Sequence, residues 1–158
     1  KSSLNNLIVK LKKTIDDRIP TFEIKSIVSD EEGAAGDHTV YLFNKEKNLL
    51  LPVKVNEDSV NALMTAKEGR EEPRPDMHNT TSRLISVLNG KIEKIIVSGY
   101  ENEIFYSYIR VSQGKTFFDI DSKPSDAFAM ALRTSAPIHV QTDVIKKAGI
   151  MITPEMLT

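Results

Sequence analysis

The sequence has no cysteine, no tryptophan and no long apolar run. Without cysteine the chain can form no disulfide bond, thiolate metal site or cysteine nucleophile, and this absence is compatible with a reducing, cytoplasmic location. No apolar run approaches the roughly 20 residues that a membrane-spanning helix needs. The 21 basic and 22 acidic side chains give a net charge of -1, so no global field draws the protein to nucleic acid or anionic lipid. Any phosphate site must therefore be local.

The length and composition predict one domain with its own core. The chain has 158 residues, of which 40% are hydrophobic and 27% are charged; these values exclude collagen-like and broadly disordered chains. We expect an N-terminal helix over residues 1–20, a folded domain over 21–150 and a C-terminal tail over 151–158. The first residue is Lys1 rather than methionine, which indicates a processed or trimmed chain.

Hydrophobic spacing predicts the elements of the first half. Apolar residues from Leu4 to Ile15 fall on one helical face, which predicts a docking helix. Extended segments at 22–29, 39–43 and 49–55 predict three strands, with an acidic hairpin loop at 29–37. Two helices follow, the first ended by Gly69 and the second opened by Pro75. The second helix is predicted to bury a stripe of Met77, Thr81, Leu84, Ile85 and Leu88.

The second half repeats this order. Strands are predicted over 91–98, 104–111 and 115–121, a short strand over 137–140 and a last helix from Thr142. The helix over 126–134 is apolar all round and is expected at the centre of the fold. Ser59 and Met64 align with Ser125 and Met130 at an offset of 66 residues, one of several matches that favour a duplicated unit. The predicted class is α+β, with duplicated three-strand, two-helix units that form mixed sheets packed on helices.

The segment from Arg74 to His78 is the first that can support chemistry. Pro75 opens a helix, so Arg74 precedes its positive end and His78 lies in its first turn. Free backbone N–H groups with a guanidinium can bind phosphate, and a histidine can act as general acid or base. The alternative is structural: Asp76 complements the helix dipole, and His78 is a half-buried, hydrogen-bonded side chain.

The second such segment runs from Asp119 to Asp126, where a strand ends and the most buried helix begins. Strand alternation puts Asp119 and Asp121 on one face, so two carboxylates are expected to converge with Asp126. Oxygen ligands of this kind can hold Mg²⁺ or Mn²⁺, while Lys123 and Ser125 hold a phosphate beside the ion. The alternative is again structural, because serine and aspartate are preferred at helix N-termini.

Several catalytic motifs are missing from the sequence. It has no glycine-rich phosphate loop, no G-x-S-x-G segment and no H-E-x-x-H segment. The three histidines, His38, His78 and His139, are widely separated along the chain, so we expect no zinc site.

At the same two segments the chain resembles the bifunctional nuclease family, found in prokaryotes and plants and named for DNase and RNase activity. The family signature R-P-x-x-H is present at residues 74–78, and I-D-x-R-P-S-D-A is matched at residues 120–127. Further short elements match at 131–133 and 136–138, and the similarity covers about Phe22 to Ile150. The resemblance implies a duplicated α+β fold and a homo-oligomer.

This resemblance, combined with the two polar segments, leads to the hypothesis of a metal-dependent phosphodiesterase that acts on DNA or RNA with low sequence specificity. Its catalytic groups would be His78, Asp121 and Asp126, of which the two aspartates would bind Mg²⁺ or Mn²⁺. The phosphate-binding groups would be Arg74, Lys123, Ser125 and Arg133. The alternative is a non-catalytic oligomeric module that binds a partner protein or nucleic acid.

The chain departs from the family pattern at three positions. Lys123 stands where the family usually has arginine, which keeps the charge but loses the bidentate phosphate contact. Asn56 and Ser59 stand where the family typically has a glycine and a glutamate. If that glutamate is a metal ligand in the family, this chain lacks it.

Overall fold

A computed structural model describes residues 2–16, 18–29 and 37–157 of the chain. Over these ranges the chain forms five α-helices and eight β-strands, so the predicted α+β class is confirmed. The helices are α1 (Ser2–Asp16), α2 (Glu57–Lys67), α3 (Met77–Val87), α4 (Pro124–Thr134) and α5 (Thr142–Ala148). The strands are β1 (Thr21–Ser29), β2 (Asp37–Asn44), β3 (Leu49–Asn56), β4 (Gly90–Glu101), β5 (Ile104–Gln113), β6 (Thr116–Ser122), β7 (Ile138–Val140) and β8 (Ile150–Met151).

All eight strands belong to one mixed sheet in the order β6-β5-β4-β7-β1-β2-β3-β8. Each half of the sheet is a three-stranded antiparallel meander followed by a helix, which agrees with the duplicated unit expected from the sequence. Strand β7 lies between the halves, parallel to β4 and antiparallel to β1. The predicted loop between the first two strands lies mainly at 30–36, outside the described residues.

Helix α4 forms the centre of the fold, as its composition predicted. Its side chains from Ala127 to Ala131 are buried, and they pack with the core side chains of the sheet, among them Ile95 and Leu51. The helix begins at Pro124, two residues before the predicted start, because proline lacks the N–H that a first helical residue leaves unpaired.

The prediction that α3 buries its apolar stripe is wrong. Met77, Leu84 and Leu88 are between 57% and 71% exposed, whereas Ile85 packs against the core. Helix α3 contacts the rest of the chain through the side that carries His78 and Ile85. Met77 and Leu84 each lie one position before these residues and project about 100° away from that side, so they are left uncovered.

The N-terminal helix α1 also leaves its apolar side chains uncovered. Leu4, Leu7, Ile8 and Leu11 are 44% to 61% exposed, so no described part of the chain covers the face that was predicted to dock. The described residues contain no helix that combines the length and the apolar character needed to cross a membrane.

The segment after residue 150 has more structure than the predicted tail. Leu49 pairs with Met151 and Leu50 pairs with Ile150, so β8 adds a two-residue strand to the edge of the sheet. A short 3₁₀ helix follows over Pro154–Leu157. A two-residue strand has no alternation from which a sequence pattern could be recognised.

Candidate functional site

The two polar segments meet through His78 and Asp126. His78 lies in the first turn of α3, and Asp126 lies in the first turn of α4, 48 positions further along the chain. The Nε2 atom of His78 is 3.0 Å from Oδ1 of Asp126. The side chains are 19% and 42% exposed, so the pair lies at the surface with its ring mostly covered.

The start of α3 is formed by Asp76 rather than by Pro75. Asp76 occupies the N-cap position, and its Oδ1 accepts a hydrogen bond of 2.8 Å from the backbone N–H of Asn79. This bond satisfies one of the donors that a helix start leaves unpaired. The interpretation of Asp76 as a residue that complements the helix terminus is thereby confirmed.

The second oxygen of Asp76 forms an ion pair with Arg133 near the end of α4. We call this pair the Asp76–Arg133 clamp. The guanidinium of Arg133 is 8% exposed and also donates to the backbone oxygens of Ala129 at 3.2 Å and Ala62 at 3.3 Å. Because Ala62 belongs to α2, the clamp joins α2, α3 and α4, and the Arg133 side chain is engaged with internal acceptors.

The clamp and the His78–Asp126 pair hold the start of α3 across α4 at two places. Asp126 and Arg133 are seven positions apart on α4, which corresponds to roughly 10 Å along the helix axis. Asp76 contacts Arg133, and His78 contacts Asp126. The ring of His78 is therefore held by Asp126 at Nε2, and the clamp holds the start of the helix that carries it.

The environment of Asp76 shifts its pKa downward. Burial raises the pKa of this carboxyl, but the hydrogen bond from Asn79 and the charge of Arg133 lower it more. The nearby His78 lowers it further, so that the pKa lies below its usual value of 3.8.

This shift predicts a loss of stability in acid. Because the pKa of Asp76 is lower in the folded than in the unfolded state, its stabilising contribution is complete above the unfolded pKa and is lost as the pH falls through the folded pKa. Thermal unfolding followed by circular dichroism from about pH 7 to pH 3 should show this loss below about pH 4. Asp76→Asn, which can still cap the helix, should show a flatter profile in that window. Asp121→Asn makes the same chemical change at an exposed carboxylate and is the matched control substitution. Equal profiles for the wild type and Asp76→Asn would contradict the assignment.

Lys123 joins the pair from the N-cap position of α4. Its Nζ is 3.8 Å from Oδ2 of Asp126, and its side chain is exposed. The Lys123 side chain forms no capping hydrogen bond to the N–H groups of the first turn of α4, which begins at Pro124. A cationic group and the positive end of a helix therefore lie beside Asp126, as phosphate binding requires.

The other predicted phosphate ligands lie elsewhere or face inward. Ser125 is buried, at 6% exposure, so its hydroxyl is not presented at the surface. Arg74 is exposed, and the described residues show no hydrogen bond or ion pair between it and His78 or Asp126. Arg133 is occupied by the clamp.

The three carboxylates expected to converge, of which Asp121 and Asp126 were predicted to bind the metal ion, do not lie together. Asp119 is bound by Arg110 through two hydrogen bonds of 2.8 and 3.1 Å. Asp121 lies opposite Tyr108 on the neighbouring strand. Its neighbour Ile120 lies on the face of the sheet that packs against the core. The strand alternation that puts Asp119 and Asp121 together thus turns both away from the face on which α4 packs.

The donor set also does not fit a ready-made site for Mg²⁺ or Mn²⁺. Such ions need several oxygen ligands, whereas the two oxygens of Asp126 face His78 and a lysine ammonium group. Over residues 2–16, 18–29 and 37–157, no group of three or more histidine, aspartate or glutamate side chains is arranged to hold a metal ion. The requirement for a divalent metal stays a prediction.

A cleft of about 610 Å³ lies beside the clamp, with both Asp76 and Arg133 in its lining. It is bounded by the end of α2, the connector before α3, and Arg133 on α4. Its lining carries charges of both signs, among them Arg70, Arg83, Glu71 and Glu72. His78, Lys123 and Asp126 are outside this lining, so the predicted site residues do not surround this cleft.

The departures at Asn56 and Ser59 form a local contact at the start of α2. The Ser59 hydroxyl donates to Oδ1 of Asn56 at 2.7 Å, and Ser59 is buried. Neither residue supplies a carboxylate, although the first turn of the same helix carries Glu57 and Asp58.

The region that contains both polar segments matches a known protein family. The profile of the bifunctional nuclease domain family matches residues 40–153, which include both polar segments and all of α2 to α5. Proteins from two strains of Mycobacterium tuberculosis, both named uncharacterized, are 28% identical over 105 residues, which are 66% of this chain and 62% of theirs.

Two plant proteins give a more distant match. Bifunctional nuclease 1 of Oryza sativa subsp. indica and the bifunctional nuclease of Oryza minuta are each 24% identical over 123 residues, 75% of this chain. The matched region spans only 37% of each plant protein and 62% of the mycobacterial ones.

Proposed function

Because the chain belongs to the bifunctional nuclease domain family, we propose that it hydrolyses phosphodiester bonds of DNA or RNA at the His78–Asp126 pair. The observation that carries this proposal is the 3.0 Å contact between two side chains that come from separate helix starts. A carboxylate that holds one nitrogen of an imidazole orients the ring and stabilises its protonated form. This is the arrangement of a general base or acid with its orienting partner.

The ring nitrogen Nδ1 of His78 is the atom that would exchange a proton with the substrate. No hydrogen-bond partner for it is found within the described part of the chain, while Nε2 faces Asp126. In hydrolysis, water forms a bond to phosphorus, the bond from phosphorus to the leaving oxygen breaks, and a proton moves from the water to the base. The leaving oxygen takes up a proton, from the imidazolium or from solvent. His78 can serve either transfer.

The substrate phosphate would be held at the start of α4. Lys123 presents an exposed ammonium group 3.8 Å from Asp126, and the first turn contributes uncapped N–H groups. The positive charge and the N–H groups can stabilise the negative charge that develops on the phosphoryl oxygens. Lysine provides a single point charge, so we expect weaker phosphate binding than arginine would give at this position.

The alternative is a non-catalytic oligomeric module that binds nucleic acid or a partner protein. The observations that favour it are the net charge of -1, the mixed charges of the 610 Å³ cleft and the internal use of Arg133. Under this alternative the His78–Asp126 contact only fastens α3 to α4, and its removal would cost stability without any loss of cleavage.

Cleavage of labelled single-stranded DNA and RNA separates these functions and tests the metal requirement. Highly purified wild-type protein should cleave at least one substrate, and His78→Gln should be at least about 100-fold slower, the range expected for loss of a general acid or base. His38→Gln, at a histidine in β2, is the matched control and should cleave like the wild type. Equal traces in all three proteins would indicate contamination and favour the binding module.

Parallel reactions with Mg²⁺, Mn²⁺ or EDTA address the ion. Loss of cleavage in EDTA and its return with either ion would support the predicted metal dependence. Undiminished cleavage in EDTA would contradict that dependence and leave the reaction to His78 and the phosphate-binding groups.

A further inference from the structure

An uncovered apolar surface runs along α3 and the neighbouring edge strand β6. The six side chains that form it are between 47% and 78% exposed. They are Met77, Leu84, Val87, Leu88, Phe118 and Ile120, and we call them the α3–β6 surface. Apolar residues scattered singly over a protein surface need no explanation, but a contiguous patch of large ones marks an interaction site.

Contacts within the chain make this surface continuous. The side chain of Gln113 donates a hydrogen bond of 2.8 Å to the backbone oxygen of Leu88, so the end of α3 is attached to the β5–β6 hairpin. Gln113 in turn pairs with Thr116, two positions before Phe118. The helix stripe and the strand side chains therefore belong to the same part of the molecule.

The strand side chains lie on the face that the helices cover elsewhere. Phe118 pairs with Val111, and Val111 pairs with the buried Ile92. One row further along, Ile120 is in register with Ile109, which packs against the core. Since β6 is the last strand on this side of the sheet, its apolar side chains extend beyond the layer of helices, and its outer edge has no neighbouring strand in the described chain.

We propose that the α3–β6 surface is the interface through which a second copy of this chain binds. The segment from Met77 to Leu88 contains one charged residue, Arg83, which lines the cleft on another side of the helix. The six side chains that define the surface carry no charge and offer nothing for electrostatic recognition of a foreign partner, whereas an apolar patch is complementary to its own copy across a two-fold axis. The proposal does not depend on the hydrolytic activity.

The size of the surface fits this role. Six large apolar side chains exposed to this degree offer on the order of 100 Å² each, which approaches the roughly 800 Å² per partner of a standard interface once the surrounding backbone and rim are added. A free edge strand with apolar side chains is also a liability for aggregation, and covering it in a closed dimer removes that liability.

Sedimentation velocity and light scattering measure the oligomeric state directly. The wild-type chain should form a particle of about twice its mass of 17.7 kDa at concentrations from about 1 to 100 μM. Leu84→Glu and, separately, Val87→Glu should weaken the dimer at least 100-fold, because each buries a charge in an apolar interface. Both side chains are exposed in the single chain, so circular dichroism and the melting temperature of the dissociated variants should report an intact fold.

Leu7→Glu is the matched control, since it changes an exposed apolar residue on α1 by the same substitution. It should leave the dimer unchanged. A wild-type chain that stays monomeric over the whole range would overturn the proposal, and so would a dimer that survives both α3 substitutions. Dissociation by Leu7→Glu alone would identify α1 as the interface instead and would equally overturn it.

Discussion

Asp126→Asn should lower phosphodiester cleavage at least about 100-fold while the protein remains folded. Asparagine keeps the shape of the side chain and can still hydrogen-bond the ring of His78, 3.0 Å away, but it removes the negative charge that stabilises a protonated imidazole. The loss should therefore appear mainly in kcat. Single-turnover cleavage of labelled RNA and DNA measures it, with circular dichroism of the same preparation as the check on folding.

Asp121→Asn is the control that separates two accounts of the site. It makes the same chemical change to a carboxylate on the sheet face that points away from α4. If the His78–Asp126 pair does the chemistry, this variant should cleave within about twofold of the wild type, as expected for a surface change away from the site. An equal loss in both variants would restore the predicted metal site shared by the two aspartates. Unchanged cleavage by Asp126→Asn would remove Asp126 from the mechanism.

Arg133→Met should destabilise the protein by about 2 to 4 kcal/mol. It leaves Asp76 without its ion-pair partner and removes the hydrogen bonds to the backbone oxygens of Ala62 and Ala129. Asp76 is 25% exposed, so the loss should lie below that of a fully buried pair. Urea unfolding measures the free energy, and the melting temperature should fall by about 5 to 15 °C for a chain of this size.

Arg83→Met is the matched control for this prediction, because Arg83 is an exposed arginine on α3 that lines the same cleft. Its cost should be within about 0.5 kcal/mol. A double-mutant cycle with Asp76→Asn then isolates the pair, and near-additive losses of stability would contradict the clamp.

If the clamp positions His78, Arg133→Met should also lower kcat with little change in KM, and Arg133→Lys should recover part of the lost kcat. An unchanged kcat would limit the clamp to a structural role.

The order and type of most elements follow from local patterns in the sequence. Helix α4 is apolar on every side, and such a helix is stable only where other elements surround it, which is what the structure shows. The strands of both meanders are recognisable because alternation and turn residues act over a few positions. The residue types at the two helix starts likewise identify Asp76, His78 and Asp126 as candidate groups without any knowledge of the fold.

The relations between distant residues depend on how the elements pack. A helical stripe of apolar residues shows that α3 has an apolar side, but it does not say that the rest of the chain contacts the side with His78 and Ile85. Alternation puts Asp119 and Asp121 on one face of β6, but which face α4 covers is decided by the whole sheet. The contact of His78 with Asp126 spans 48 positions, and that of Asp76 with Arg133 spans 57. Periodicity describes the orientation of side chains within one element, and only the packing of elements on the sheet brings separate elements within bonding distance.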